Sequence, residues 1–230
     1  MKGKSRFIKR VKISSLKFRL LLRCFFSDIT ASSAAGIVGV NRKTADLYYR
    51  HCRRFVRCDQ DRDRRRFLSA RETEIDESYF GPTRVRGKRG RGAGSKIAVI
   101  GLLQRAGKVF TSPVDSWTKE QLLPVILEKV KQGADIYTDG WTRYDALAVY
   151  GFNHKKVKHD DNEFSSGDGN HINGIESFWS FAKRRLAKFN GIRKAFFSDY
   201  LLETEWRFNH RDTMETVLRQ LVRNDRRMTR

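Results

Sequence analysis

Three cysteines, Cys24, Cys52 and Cys58, are all that this 230-residue chain carries. An odd number without CxxC spacing supports neither a disulfide framework nor a zinc site, so a reducing, cytoplasmic setting is expected. Long apolar runs are missing too. The longest near the start, residues 20–22 and 24–26, is broken by Arg23 and is far too short to span a bilayer. Basic residues recur through the first 23 positions and leave no uninterrupted apolar region of a signal peptide. Acidic residues are the third shortage: 26 Asp and Glu stand against 48 Lys and Arg, a formal charge of +22. Such an excess argues against an ordinary metabolic enzyme and for a polyanionic partner.

What is present is unevenly distributed. Residues 1–71 hold 20 basic and 5 acidic side chains, whereas residues 72–230 hold 28 and 21. The first third is therefore the electrostatic anchor, and a domain division is expected near residue 70. Residues 14–26 place Leu16, Leu20, Leu21 and Cys24 at helical spacing among Arg and Lys, which predicts a basic amphipathic helix. A short helix over 32–37, a tight turn at Gly39, Val40 and Asn41, and a second helix over 43–56 follow. That is the layout of a helix-turn-helix, with Arg42, Lys43 and Thr44 opening the helix that would meet DNA. An ordinary three-helix packing unit with a basic solvated face fits the same pattern. Residues 59–66 read as a linker or a solvated helix end.

The remainder alternates strand and helix signals. Strands are expected over 74–80, 96–104, 109–114, 134–138 and 153–158, and helices over 117–131, 141–149 and from about 171 onward. Residues 82–95, rich in Gly and Arg and including Arg86, Lys88, Arg89 and Arg91, read as a basic loop suited to phosphates. Hairpins first and crossover helices later give a mixed sheet with helices on its faces, an α/β class with the element order of the ribonuclease H-like fold. Three acids then stand out: Asp76 within the first strand, Asp139 at the end of the fourth, and Glu176 in the late helix. Singly, each has an ordinary reading as a turn or surface acid. Together, hard carboxylate ligands suit two divalent ions, Mg²⁺ or Mn²⁺, held about 3.5 to 4 Å apart for in-line phosphoryl transfer. Alternation along the strand turns the neighbouring Glu77 to the other face, so it and Asp145 are secondary.

The late helix carries an apolar stripe at Ile175, Phe178, Trp179, Ala182, Leu186 and Phe189, with Glu176 at its margin. Lys183, Arg184 and Arg185 extend the same helix along DNA. His171 and Asn173 either touch a phosphate or cap the helix, and Trp141 and Tyr144 pack at the core or beside substrate. The segments TEIDESYFG, IYTDGWTRYDAL, HINGIESFWSFAKRRLAKFNG and WRFNHR, in order over residues 72–211, resemble the DDE domain of the ISXO2-like (IS1595) insertion-sequence transposases. The resemblance implies that Asp76, Asp139 and Glu176 are catalytic metal ligands. It also implies double-stranded DNA as partner, cleavage at inverted-repeat ends followed by integration, and a homodimer or larger synaptic assembly at the nucleoid. The chain departs from many members in showing no four-cysteine zinc ribbon ahead of the helix-turn-helix. Two other readings fit the same residues: a decayed or domesticated transposase that binds DNA without catalysis, and a structure-specific nuclease. By these expectations residues 1–70 bind DNA, 71–212 form the catalytic domain and 213–230 a basic tail.

Overall fold

The computed structural model describes residues 13–65, 71–81, 96–105, 107–140, 142–157, 171–217 and 220. It divides into two compact units, one comprising residues up to Cys58 with those from His210 on, the other Asp59–Asn209. The first is helical: α1 (Ser15–Phe26), α2 (Ala31–Val38) and the start of α3 (Arg42–Arg65). Ser14 and Thr30 cap the first two helices through their side chains, accepting from the backbone N–H groups of Lys17 and Ser33. Gly39 ends α2 in the left-handed conformation, and the Asn41 side chain accepts from Lys43 N–H at 2.8 Å to open α3. The buried face of α1 differs from the expected stripe. Phe18, Leu21, Leu22, Cys24, Phe25 and Phe26 point inward, whereas Leu16 is 67% exposed. Aromatic pairs explain the shift: Phe18 packs on Tyr48, and Phe25 meets Tyr49 edge-on with ring centroids 5.1 Å apart.

The second unit is built on one sheet of five strands in the order β3-β2-β1-β4-β5. The strands are β1 (Glu72–Phe80), β2 (Ile97–Gln104), β3 (Val109–Val114), β4 (Asp135–Asp139) and β5 (Asn153–Val157). The first three pair antiparallel, while β1–β4 and β4–β5 are parallel. This is the ribonuclease H-like arrangement. The first connections are direct, and the parallel strands are reached through α4 (Lys119–Lys129) and a 3₁₀ helix, Thr142–Tyr150. Then α5 (Asn173–Ala187) and α6 (Lys194–Asn209) close the unit.

The pleat sorts β1 between two cores. Ile75 joins Ile100, Ile126, Ile136 and Leu147 on the face covered by α4 and the 3₁₀ helix. Phe80 joins Ile175, Phe178, Trp179 and Ala182 of α5 and Leu201 of α6 on the other. Of the two expectations for residues 59–66, a linker or a solvated helix end, residues 59–65 follow the second as the last turns of α3, although Asp59 and Gln60 face the protein. Asp59 accepts the Trp206 indole N–H at 2.9 Å, and Gln60, 1% exposed, hydrogen-bonds Glu205. Glu205 in turn accepts from the backbone N–H and the hydroxyl of Thr111 on the edge strand β3, at 2.8 and 2.6 Å. No helix among the described residues is long and apolar enough to cross a membrane.

Candidate metal centre

Strand register brings the first two acids together. Parallel pairing between β1 and β4 runs from Glu72↔Asp135 to Glu74↔Tyr137 and goes no further. Two residues on, along the same face of each strand, stand Asp76 and Asp139. Beyond the last ladder pair the two strands are free to part, which opens space at their carboxyl ends, where open α/β sheets bind ligands. One carboxylate oxygen from each of Asp76, Glu77 and Asp139 lies within 4.8 Å of the others.

Glu77 is the unexpected member. Its side chain does start on the opposite face, where the buried Tyr144 hydroxyl donates to it at 2.6 Å. Because β4 no longer flanks β1 at this point, the carboxylate still reaches round to the other two acids. Tyr144 is 2% exposed, and burial together with the Glu77 charge holds its phenol well above its ordinary pKa. It therefore acts as a fixed neutral donor.

Asp76 carries a clear electrostatic signature. Burial, first of all, pushes its carboxyl up to about 6 from an ordinary 3.8. A backbone hydrogen bond at Glu77 opposes the rise, the Asp139 and Glu176 charges add to it, and the Trp179 indole N–H lowers it slightly. Glu176 is thus near enough to raise the Asp76 pKa, although its carboxylate is exposed and stands outside the tight group of three.

The place beside Asp76 is shaped by a glycine. Asp76 pairs across the ladder with Gly101 of β2, and a Cβ there would fall 2.5 Å from Cζ2 of Trp179. The missing side chain admits the indole against the sheet. Trp179 is 4% exposed, and its N–H makes no hydrogen bond of standard geometry, so its influence on Asp76 is weak.

Several predicted contact residues sit at the surface. Arg42 and Lys43 are exposed at the start of α3, with Thr44 half-buried behind them, and Lys183 and Arg184 are exposed on α5. Arg185 is different. It is 5% exposed and points inward, where Thr204 accepts from it at 2.6 Å and Glu203 pairs with it. His171 and Asn173 do not cap α5, whose N-cap residue, Ile172, offers no side-chain bond. His154 meets the Thr138 hydroxyl at 2.9 Å. Arg86, Lys88, Arg89, Arg91 and Trp141 lie outside the described residues.

Sequence reasoning set aside Glu77, and it passed over Glu74 and the Gly101–Trp179 contact. For Glu74 a signal existed, since it occupies the same strand face as Asp76. For Glu77 none did, because the divergence of two strands leaves no mark in either.

The donor set is all carboxylate oxygen, hard and negatively charged, which fits Mg²⁺ or Mn²⁺ and not a thiolate-preferring ion. Comparison with known proteins gives the context. The ISXO2-like transposase domain matches residues 68–209. An uncharacterized transposase-like protein of Haemophilus influenzae is 45% identical over 118 residues, covering 50% of this chain and 94% of that protein. An uncharacterized protein in transposable element ISH50 of Halobacterium salinarum is 31% identical over 180 residues, 71% of this chain and 59% of that protein. Among solved structures, the Mos1 strand transfer complex aligns over 95% of this chain and 79% of that one, at 13% identity and a TM-score of 0.30. Matched over most of its length by the family domain and accompanied by these relatives, the chain belongs to the ISXO2-like transposase family.

Proposed function

We propose that this transposase cleaves insertion-sequence ends and joins them to target DNA by phosphoryl transfer dependent on Mg²⁺ or Mn²⁺. Asp76, Asp139 and Glu176 are its ligands, and Glu77 stands beside them. The observation that carries the reading is the meeting of Asp76 and Asp139 at the carboxyl ends of two parting strands, with the charge of Glu176 on α5 felt at Asp76. The chemistry that a pair of such ions supplies when bound is activation of the attacking oxygen and neutralisation of the leaving one. The protein's own part is placement. Asp76 and Asp139 sit on rigid strands, the Tyr144 hydroxyl holds Glu77, and α5 brings Glu176 to the sheet. In cleavage, water oxygen replaces the 3′ oxygen on phosphorus and leaves a 3′-hydroxyl. In joining, that hydroxyl attacks a target phosphodiester, and one P–O bond forms as another breaks.

The helical N-terminal unit would supply most of the DNA affinity, with Arg42, Lys43 and Thr44 at the groove and Lys183 and Arg184 along the backbone. On this reading the chain works as a homodimer or larger assembly on two paired ends. Support for DNA binding comes from the charge of +22 and from the exposure of Arg42, Lys43, Lys183 and Arg184.

The test is incubation of the full chain with Mg²⁺ and duplexes ending in the element's terminal repeats. Joined product is expected, and Asp139→Asn should abolish it while leaving DNA binding within a few-fold, because it removes a ligand and no phosphate contact. Nicks without joining would point to a nuclease instead. A metal-independent gel shift alone would point to a DNA-binding protein.

A further inference from the structure

Glu74 is a carboxylate that the proposed reaction does not use, and it is 1% exposed. A charge this deep is costly unless it is paired and hydrogen-bonded. Its partners all belong to one junction. Oε2 accepts the backbone N–H of Ile175 at 2.9 Å, and Oε1 lies 3.3 Å from Arg105 Nε and 3.5 Å from His171 Nδ1. Arg105 in turn donates from Nη2 to the His171 carbonyl at 2.7 Å and stacks 3.5 Å above the Tyr137 ring.

Ile175 occupies the third position of α5, one residue before Glu176. The helix has no side-chain cap of its own, so a residue from a distant strand satisfies one of its first N–H groups. The positive end of the helix favours a carboxylate there. On the strand side, Glu74 precedes Asp76 by two residues, about 7 Å along the same face. A single hydrogen bond therefore joins the neighbours of two of the three acids. Gly174 shows how closely the parts fit: a Cβ there would lie 2.8 Å from Glu74 Oε2 and 2.7 Å from Leu103 Cδ2. Both atoms belong to buried side chains with little room to retreat.

We propose that Glu74 is a positioning residue, a latch from β1 to the first turn of α5 that fixes where Glu176 stands relative to Asp76. The inference rests on the reading of Asp76, Asp139 and Glu176 as the ligand set. Glu74 binds no metal and touches no DNA. It acts through the helix.

The experiment measures Mn²⁺ binding to the full chain without DNA, by loss of the free-ion electron paramagnetic resonance signal, beside end-joining at limiting and saturating Mn²⁺. Glu74→Ala should raise the Mn²⁺ concentration for half-saturation about tenfold or more, the usual range for a supporting residue behind a metal ligand. Its joining defect should shrink at saturating Mn²⁺. Glu74→Gln, which keeps an acceptor for the Ile175 N–H, should recover most of the loss. Gly174→Ala, which displaces the carboxylate while leaving it in the chain, should shift half-saturation in the same direction and serves if Glu74→Ala does not fold. Unaltered Mn²⁺ binding in Glu74→Ala or Gly174→Ala overturns the latch, as does a Glu74→Gln variant no better than Glu74→Ala. If the wild type binds Mn²⁺ and Asp139→Asn loses it while the Glu74 variants do not, the latch alone falls. A wild type that binds none overturns the ligand reading, and the latch with it.

Discussion

Asp76 is held in the fold at a cost while no cation accompanies it. Its carboxyl titrates near 6 rather than at 3.8, so between about pH 4 and pH 6 the folded chain keeps a proton that the unfolded chain has released. Stability must then fall as pH rises through that window and stay lower above it. We expect Asp76→Asn to stabilise the metal-free protein at pH 7 by about 1–2 kcal/mol, and the advantage to vanish by pH 4. Urea unfolding at the two pH values measures this, and an equal effect at both would contradict the assignment. The same two-residue span shows where reading residues one at a time stops. Alternation along β1 separated Asp76 from Glu77 correctly, face by face. It could not show that β4 leaves β1 after Glu74↔Tyr137, so that a side chain from the far face reaches the same oxygens.

Elements were legible in proportion to how cleanly their buried faces are apolar. In α5, Ile175, Phe178, Trp179, Ala182 and Leu186 are buried at the expected spacing, and the helix stood out from the sequence. By contrast α6 left almost no periodic trace, because its inward face includes Glu203, Glu205 and Arg207 beside Phe197, Leu201 and Trp206. Those charges are buried as partners: Glu203 pairs with both Arg185 and Arg207, the latter at 2.9 Å. The same pairing draws Arg185 inward, away from the surface that its sequence neighbours Lys183 and Arg184 keep. Glu203→Ala would leave two guanidinium groups buried without their carboxylate, and we expect it to cost about 3–5 kcal/mol. Denaturant titration tests this, and a change below about 1 kcal/mol would mean that the α5–α6 contact does not depend on the pair.

Across the whole molecule, charge and chemistry are divided. The first 71 residues bring 20 basic side chains against 5 acidic, while every acid of the candidate centre lies beyond them. DNA affinity should therefore fall steeply with salt, with log–log slope near −0.9 per phosphate neutralised, and by roughly a thousandfold or more between 50 and 200 mM for six or more contacts. A flat salt dependence in a gel-shift titration would remove the basic first third as anchor. Asp76 and Asp139, 63 positions apart in the chain, are proposed to form one cation site where β1 and β4 part. Anomalous diffraction from crystals of the full chain soaked in Mn²⁺ tests it most directly. A manganese peak is expected within bonding distance of a carboxylate oxygen from each of the two. No peak there, or one that touches only a single aspartate, would contradict it.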